Sequence, residues 1–461
     1  MTRKGELGIF TVAMISVAAG FSIRNLPSMA VVGWSLIFWY VLAIALFLLP
    51  LALVAAELAA AWPEDGGVFA WVDEAFGERT GFMAVWAVVV ENIPWYPTVL
   101  AFVAASVAYG FAPALQDNRW YAAGAMIATF WLVTFACTAG PVTAARLASY
   151  GTLLGNVVPA AVLIVAAGAW IAAGKPLALP AFAPALLWPV WDGGTLPLVS
   201  SLLLAFTGLE MSGYFALQVR DPQRDYPRAL GIAMIAIGGL SIFATLAIAL
   251  VIPAEKISLS GGVVQTFAAI LGPLGAPWLV APLAALVAIG ALALMGAWLI
   301  GPLLSVATIA RRGLLPPIFR RLNAHQVPAA VMVWQAVLIT IVSAAYACIP
   351  SANAAYWILT ATTTALLGFY YLPIFAAVIR LRYTQPDVVR PFRIPGGIAG
   401  VWIVGVTGFA ATAFAVAIAL ERPSTVPYVS DATYVGAMIV FALLWMTPWA
   451  VYSLFRRMAW R

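Results

Sequence analysis

The sequence predicts an all-α polytopic membrane protein of twelve transmembrane helices, and three observations carry that expectation. Hydrophobic residues fill 64% of the 461 positions and charged ones only 9%, with a mean hydropathy of +1.01, which excludes a soluble globular domain. Twelve apolar stretches reach the roughly 20 residues that one helix needs to cross a bilayer. The cations also sort by side. With the N-terminus in the cytoplasm, eighteen of the 23 Lys and Arg residues fall on the cytoplasmic face. Arg119, Lys175, Lys256 and Arg422 fall on the other, and Arg24 stays inside the membrane. This positive-inside pattern predicts a multi-pass protein of the plasma membrane (bacterial inner membrane) with both termini cytoplasmic.

The spans are expected at 8–31, 33–61, 80–111, 120–139, 148–173, 195–218, 230–252, 278–308, 329–349, 353–381, 399–420 and 432–455. The first lacks a small-residue cleavage pattern and the second follows at once, so it is a span and not a signal peptide. It carries Gly20-Phe21-Ser22-Ile23-Arg24-Asn25-Leu26-Pro27 near its middle. Gly and Ser loosen the helical ladder there, and Pro27 removes a donor. The second span ends at Pro63, after Glu57, which is expected to anchor the following loop. The third carries Glu91 at mid-depth. Cys137 and Cys348 lie in apolar helices and are expected to be small buried side chains rather than a disulfide. Gly151 and Gly155 form a G-x-x-x-G in the fifth span, suited to close helix packing.

The sixth span carries Phe206-Thr207-Gly208-Leu209-Glu210, a second interruption five helices after the first. Lipid cannot satisfy freed N–H and C=O groups, so unwound backbone must line a protein cavity. The spacing is that of two five-helix repeats of inverted topology. Residues 1–175 form the first repeat, 195–381 the second, and 399–455 hold helices eleven and twelve outside both.

The loop after the second span reads Glu57-Leu58-Ala59, then Pro63, then Gly66-Gly67-Val68-Phe69-Ala70-Trp71, then Ala75-Phe76-Gly77. It resembles the first cytoplasmic loop of the amino acid–polyamine–organocation permeases: E-L-A, P, G-G-x-Y/F-x-W, A-F/L-G. Asp221-Pro222-Gln223-Arg224-Asp225-Tyr226-Pro227 resembles the family's N-P-x-R-D/N-x-P. Ala310-Arg311-Arg312-Gly313-Leu314-Leu315-Pro316 resembles its A-R-D-G-x-L/F-P, with Arg312 at the usual acidic position. Within the family, residues Val251–Phe267 look closest to the glutamate/γ-aminobutyrate antiporter branch. The resemblance implies a leucine-transporter-like five-plus-five fold with helices one and six broken. It also implies that Gly20, Phe21, Ser22 and Ile23 hold substrate together with Phe206, Thr207 and Gly208. A half-helix N-terminus suits a carboxylate, and a freed C-terminal end suits an ammonium group. The usual first break is G-S-G-I/V-F, so Phe21, Ser22 and Arg24 depart from it.

Glu210 aligns with a glutamate that many members carry. It is either a proton carrier or gate, or a structural carboxylate on the freed N–H groups of the break. Arg24 must be paired, because a guanidinium stays charged at any depth. Counting residues along the helices places Arg24 and Glu91 both near the midplane, so a buried Arg24–Glu91 pair is expected; the alternative is recognition of a substrate carboxylate by Arg24. Trp298 lies fifteen residues before Gly313, where a related arginine/agmatine exchanger has a substrate-facing tryptophan; it is read as a pocket wall or as packing.

These residues predict a secondary transporter moving amino acids by alternating access, as an exchanger or a proton symporter. The alternatives are a polyamine or organic amine carrier of the same family, or a channel. The partners are a small-molecule amino acid, the lipid bilayer and protons, in a monomer or homodimer. No cofactor, metal or nucleic acid is expected. The single histidine, His325, lies in a basic loop, and there is no phosphate-binding G-x-x-x-x-G-K-S/T motif and no catalytic constellation for an enzyme.

Overall fold

A computed structural model describes residues 7–63, 67–115, 118–140, 148–189, 200, 202–203, 205–259, 261–347, 352–422 and 430–451. Cys348, Glu64 to Gly66, Arg146, the terminal basic residues and parts of the sixth and twelfth stretches lie outside them.

The described residues form helices joined by irregular segments, and ten of these helices are long and apolar enough to cross a membrane. Nine coincide with expected spans: Gly33–Ala61, Glu78–Phe111, Arg119–Cys137, Ala148–Ala172, Gln223–Val251, Pro277–Arg311, Ala329–Tyr346, Ile358–Thr384 and Gly397–Ala419. The tenth is the interrupted first span, Ile9–Ala30. Asp431–Trp445 is a helix at the twelfth position, and Leu209–Gln218 follows the second interruption. The spans show little amphipathicity because lipid is apolar too; polar groups are instead confined to faces that meet other helices.

The third span runs the full length of the molecule through its centre, packing against spans eight and ten, with every residue of its apolar stretch buried. It carries Pro94 and Pro97 inside the helix. Span seven starts at Pro222, eight residues before its expected start. The Asp221–Pro227 motif is therefore the cap and first turns of a helix, with proline where a missing N–H costs nothing.

Spans five and eight cross at a backbone-to-backbone contact. A Cβ on Gly155 would fall 2.1 Å from the Gly290 nitrogen and 2.3 Å from the Leu286 carbonyl oxygen. Span five widens to a π turn over Leu153–Val157 at this crossing, and Asn156 Nδ2 donates to the Gly290 carbonyl at 3.3 Å. The G-x-x-x-G is thus a packing device. Gly155→Ala should force the two spans apart and cost about 3 kcal/mol or more, the upper end of overpacking. Gly168→Ala on the same span meets nothing within 4 Å and should be neutral. Thermal unfolding in detergent, followed by monodispersity, distinguishes the two.

Two short helices close the molecule's faces. On one side Val68–Phe76 lies between Gly67 and Gly77, both at positive φ. Its Phe69 and Trp71 are fully buried, and Trp71 Nε1 donates to the Trp62 carbonyl at 3.3 Å. Arg312, which replaces the family's acidic residue, pairs with Asp73 of this helix at 2.5 Å and lies over the Phe69 ring at 4.9 Å. Glu57 anchors the segment between spans ten and eleven rather than the loop that follows it. It takes both prongs of Arg382 at 2.7 Å and the Ile394 N–H at 2.8 Å. On the opposite side Gly262–Leu271 forms a helix whose Val263, Phe267, Ile270 and Leu271 face inward. Gly262 packs against Pro27, covering the second half of span one.

Candidate functional site

The first span stops where the sequence loosens it. The helix Ile9–Gly20 ends with Phe21 at φ −120°, ψ 123°, and Ser22 is also extended at φ −133°, ψ 118°. One tight turn, Ile23–Asn25, leads into Leu26–Ala30, with Pro27 in its first turn. The second interruption is a turn over Phe206–Gly208, with Gly208 at φ +102°, before Leu209–Gln218 resumes in a tight helix.

The two breaks meet. A Cβ on Gly20 would lie 3.6 Å from the Leu209 nitrogen and 3.7 Å from the Thr207 carbonyl oxygen. A Cβ on Gly208 would fall 2.6 Å from the Ala19 carbonyl oxygen and 2.7 Å from Trp298 Cζ2. Gly208 is required twice over, for its positive φ and for this close approach. Gly20, Thr207, Gly208 and Trp298 therefore converge on one point. Ser22 is 9% exposed and Phe21 and Ile23 1%. Phe206 turns instead toward Tyr40, with ring centroids 5.8 Å apart.

Glu210 is completely buried and is tied to the break. The Tyr371 hydroxyl donates to its Oε1 at 2.8 Å, and the Gly208 N–H donates to that same hydroxyl at 3.0 Å. Backbone amide, phenol and carboxylate form one relay from span ten to the freed backbone of span six. Tyr371 was not among the sequence candidates. Its signal was present: a tyrosine deep in an apolar span needs a partner for its hydroxyl.

Trp298 closes the wall formed by span three. Its Nε1 donates to the Ala19 carbonyl at 3.2 Å, and its backbone carbonyl accepts from Asn92 Nδ2 at 3.4 Å. Its ring sits 5.4 Å from that of Trp95.

Arg24 Nη1 donates to Thr98 Oγ1 at 2.9 Å, and Thr98 donates to the Trp95 carbonyl at 2.7 Å. Thr98 lies on the same span as Glu91, seven residues beyond it, about 10.5 Å along a helix. Glu91 is itself buried at 2% exposure.

The edge of the site nearer Val68–Phe76 is sealed by hydrogen bonds between the two half-helices and span seven. Ser16 donates to Ser212 at 2.8 Å and Ser212 to the Tyr226 hydroxyl at 3.0 Å. Gly213 packs against the Trp71 ring. With Gly262 over Pro27 on the other side, this is a closed arrangement.

Comparison with known proteins adds the following. A family model described as amino acid permease matches residues 7–447. An uncharacterized transporter of Legionella pneumophila is 36% identical over 451 residues, covering 97% of this chain and 96% of that one. A glutamate/gamma-aminobutyrate antiporter of Lactococcus lactis is 28% identical over 464 residues, covering 97% and 90%. A probable agmatine/putrescine antiporter of the same species is 25% identical over 401 residues, covering 85% and 83%. Among solved structures, that of MhsT in complex with L-phenylalanine superposes with a TM-score of 0.63 at 15% identity, covering 90% of this chain and 98% of that one. At that identity it shows the fold alone.

Proposed function

The chain belongs to the amino acid permease family, and we propose that it exchanges amino acids across the bacterial inner membrane by alternating access, with both termini cytoplasmic. Family and fold are those of secondary transporters. One observation supports the reading most: freed carbonyl and amide groups of two broken helices meet at a buried point, and a relay from Gly208 through Tyr371 ties Glu210 to it. Substrate binds between the segments 20–23 and 206–208, with Trp298 as a wall. Its ammonium group meets the freed carbonyls. A carboxylate meets Arg24, whose Nη1 also donates to Thr98 Oγ1 on span three. The repeats 1–175 and 195–381 supply the two broken helices and move against each other around this point. Glutamate and γ-aminobutyrate, named for the Lactococcus relative, are the first substrates to test.

A second reading has its own support. Glu91 and Glu210 are both buried carboxyl groups, 2% and 0% exposed, which suits a cationic amine such as a diamine. A thermal-shift screen separates the two, since a ligand that binds only the folded state raises its midpoint. Amino acids carrying a carboxylate should stabilise the protein more than diamines do. A response to diamines alone would move the assignment to the second reading.

Glu210 acts as proton carrier or gate. Glu210→Gln keeps an acceptor for Tyr371 but cannot titrate. It should leave the protein folded and flatten the pH dependence of exchange in liposomes. An unaltered pH profile would reduce Glu210 to a structural role.

A further inference from the structure

We propose that the Trp298 indole N–H and the ammonium group of the substrate compete for the Ala19 carbonyl, so that Trp298 serves this acceptor until an amine displaces it and thereby sets the affinity for amines. The inference rests on the transport reading above and adds what an amine must displace on entering the site. In an unbroken helix the Ala19 carbonyl would accept from the backbone of residue 23. The extended residues Phe21 and Ser22 take that donor away. A buried carbonyl must then be served from elsewhere, and Trp298 Nε1 serves it at 3.2 Å.

The bond lies at the long end of the N–H···O range, between two neutral groups. An ammonium donor makes a shorter, charge-assisted bond that is roughly twice as strong, so an amine displaces the indole and a group with no donor does not. Indole nitrogen donates and never accepts, so whatever replaces it at this carbonyl must also be a donor. The indole is placed for such a role. It lies against the second break at Gly208, where a Cβ would fall 2.7 Å from its Cζ2. Its backbone is held by Asn92 at 3.4 Å, and its ring by Trp95. Displacing the indole therefore loosens the contact between the two broken helices at the moment the amine arrives.

The test replaces Trp298 in the full-length purified protein by β-(benzothien-3-yl)alanine, which keeps the shape and has sulfur in place of the N–H. Trp298→Phe is the second variant. Binding of L-glutamate, γ-aminobutyrate, glutarate and butyrate is measured by titration calorimetry. Loss of the competing hydrogen bond should tighten binding of the two amines by about two- to tenfold, the net worth of one such bond. The deaminated acids should bind as they do to the unaltered protein. Unchanged or weaker amine binding in both variants, or equal tightening of the deaminated acids, overturns the inference while leaving the transport reading in place. An unaltered protein that binds none of the four overturns both.

Discussion

Glu57→Ala should destabilise the protein by about 3–5 kcal/mol, the range for removing one partner of a buried charge group. Glu57 is 1% exposed, and Arg382 and Arg390 beside it have side chains only 13% and 2% exposed. Removing the carboxylate leaves two largely buried guanidinium groups without the anion between them. It also strips the Ile394 N–H of its acceptor. Arg390 does not depend on Glu57 alone: it donates to the carbonyls of Leu381, Gln385 and Val388, each at 2.9 Å. Those bonds hold its guanidinium in place, so the repulsion cannot relax by the side chain swinging out. Glu57→Gln keeps an acceptor for Ile394 and should fall between the two. Asp73→Ala, at the Arg312 pair on the same face, is the contrast. Its partners are 42% and 20% exposed, and a pair that solvent screens is worth under about 1 kcal/mol. Thermal unfolding of the three variants in one detergent checks the order. Equal losses at Glu57 and Asp73 would show that burial does not separate them.

Arg24→Ala should weaken binding of a carboxylate-bearing amino acid by about ten- to a hundredfold, as expected from loss of a charge-assisted hydrogen bond worth about 1.5–3 kcal/mol. The protein should still fold, because the side chain left behind, Thr98, is a neutral hydroxyl that keeps its bond to the Trp95 carbonyl. Arg24→Lys keeps the charge but not the planar fork and should recover only part of the affinity. Titration calorimetry with L-glutamate, beside a thermal unfolding curve, separates binding from stability. A strongly destabilised Arg24→Ala protein rescued by Glu91→Gln would restore the buried pair that the sequence predicts.

The surroundings of Arg24 mark where the sequence stops being legible. The spans are written in it because a lipid-crossing helix needs nothing but length and apolarity, and both are local. The breaks are written there too, in Gly20, Pro27 and Gly208. Their consequence is not local: how far Arg24 travels depends on Phe21 and Ser22 becoming extended, which side-chain identity does not dictate. Tyr371 escaped for a similar reason, since its role depends on how span ten packs against span six. The helix Gly262–Leu271 carried a readable period in Val263, Phe267, Ile270 and Leu271, but lay in a stretch too short to count as a span. Span seven began early because a proline-containing motif that reads as a loop can also start a helix.

The most direct measurement is counterflow in liposomes holding the purified protein. Vesicles preloaded with unlabelled L-glutamate or γ-aminobutyrate, and matched vesicles without it, take up the labelled compound from outside. A carrier that returns loaded faster than it returns alone should give a transient overshoot in the preloaded vesicles, lost in Arg24→Ala and retained in Asp73→Ala. Uptake that ignores the internal load would contradict alternating access around the two broken helices and point to a channel.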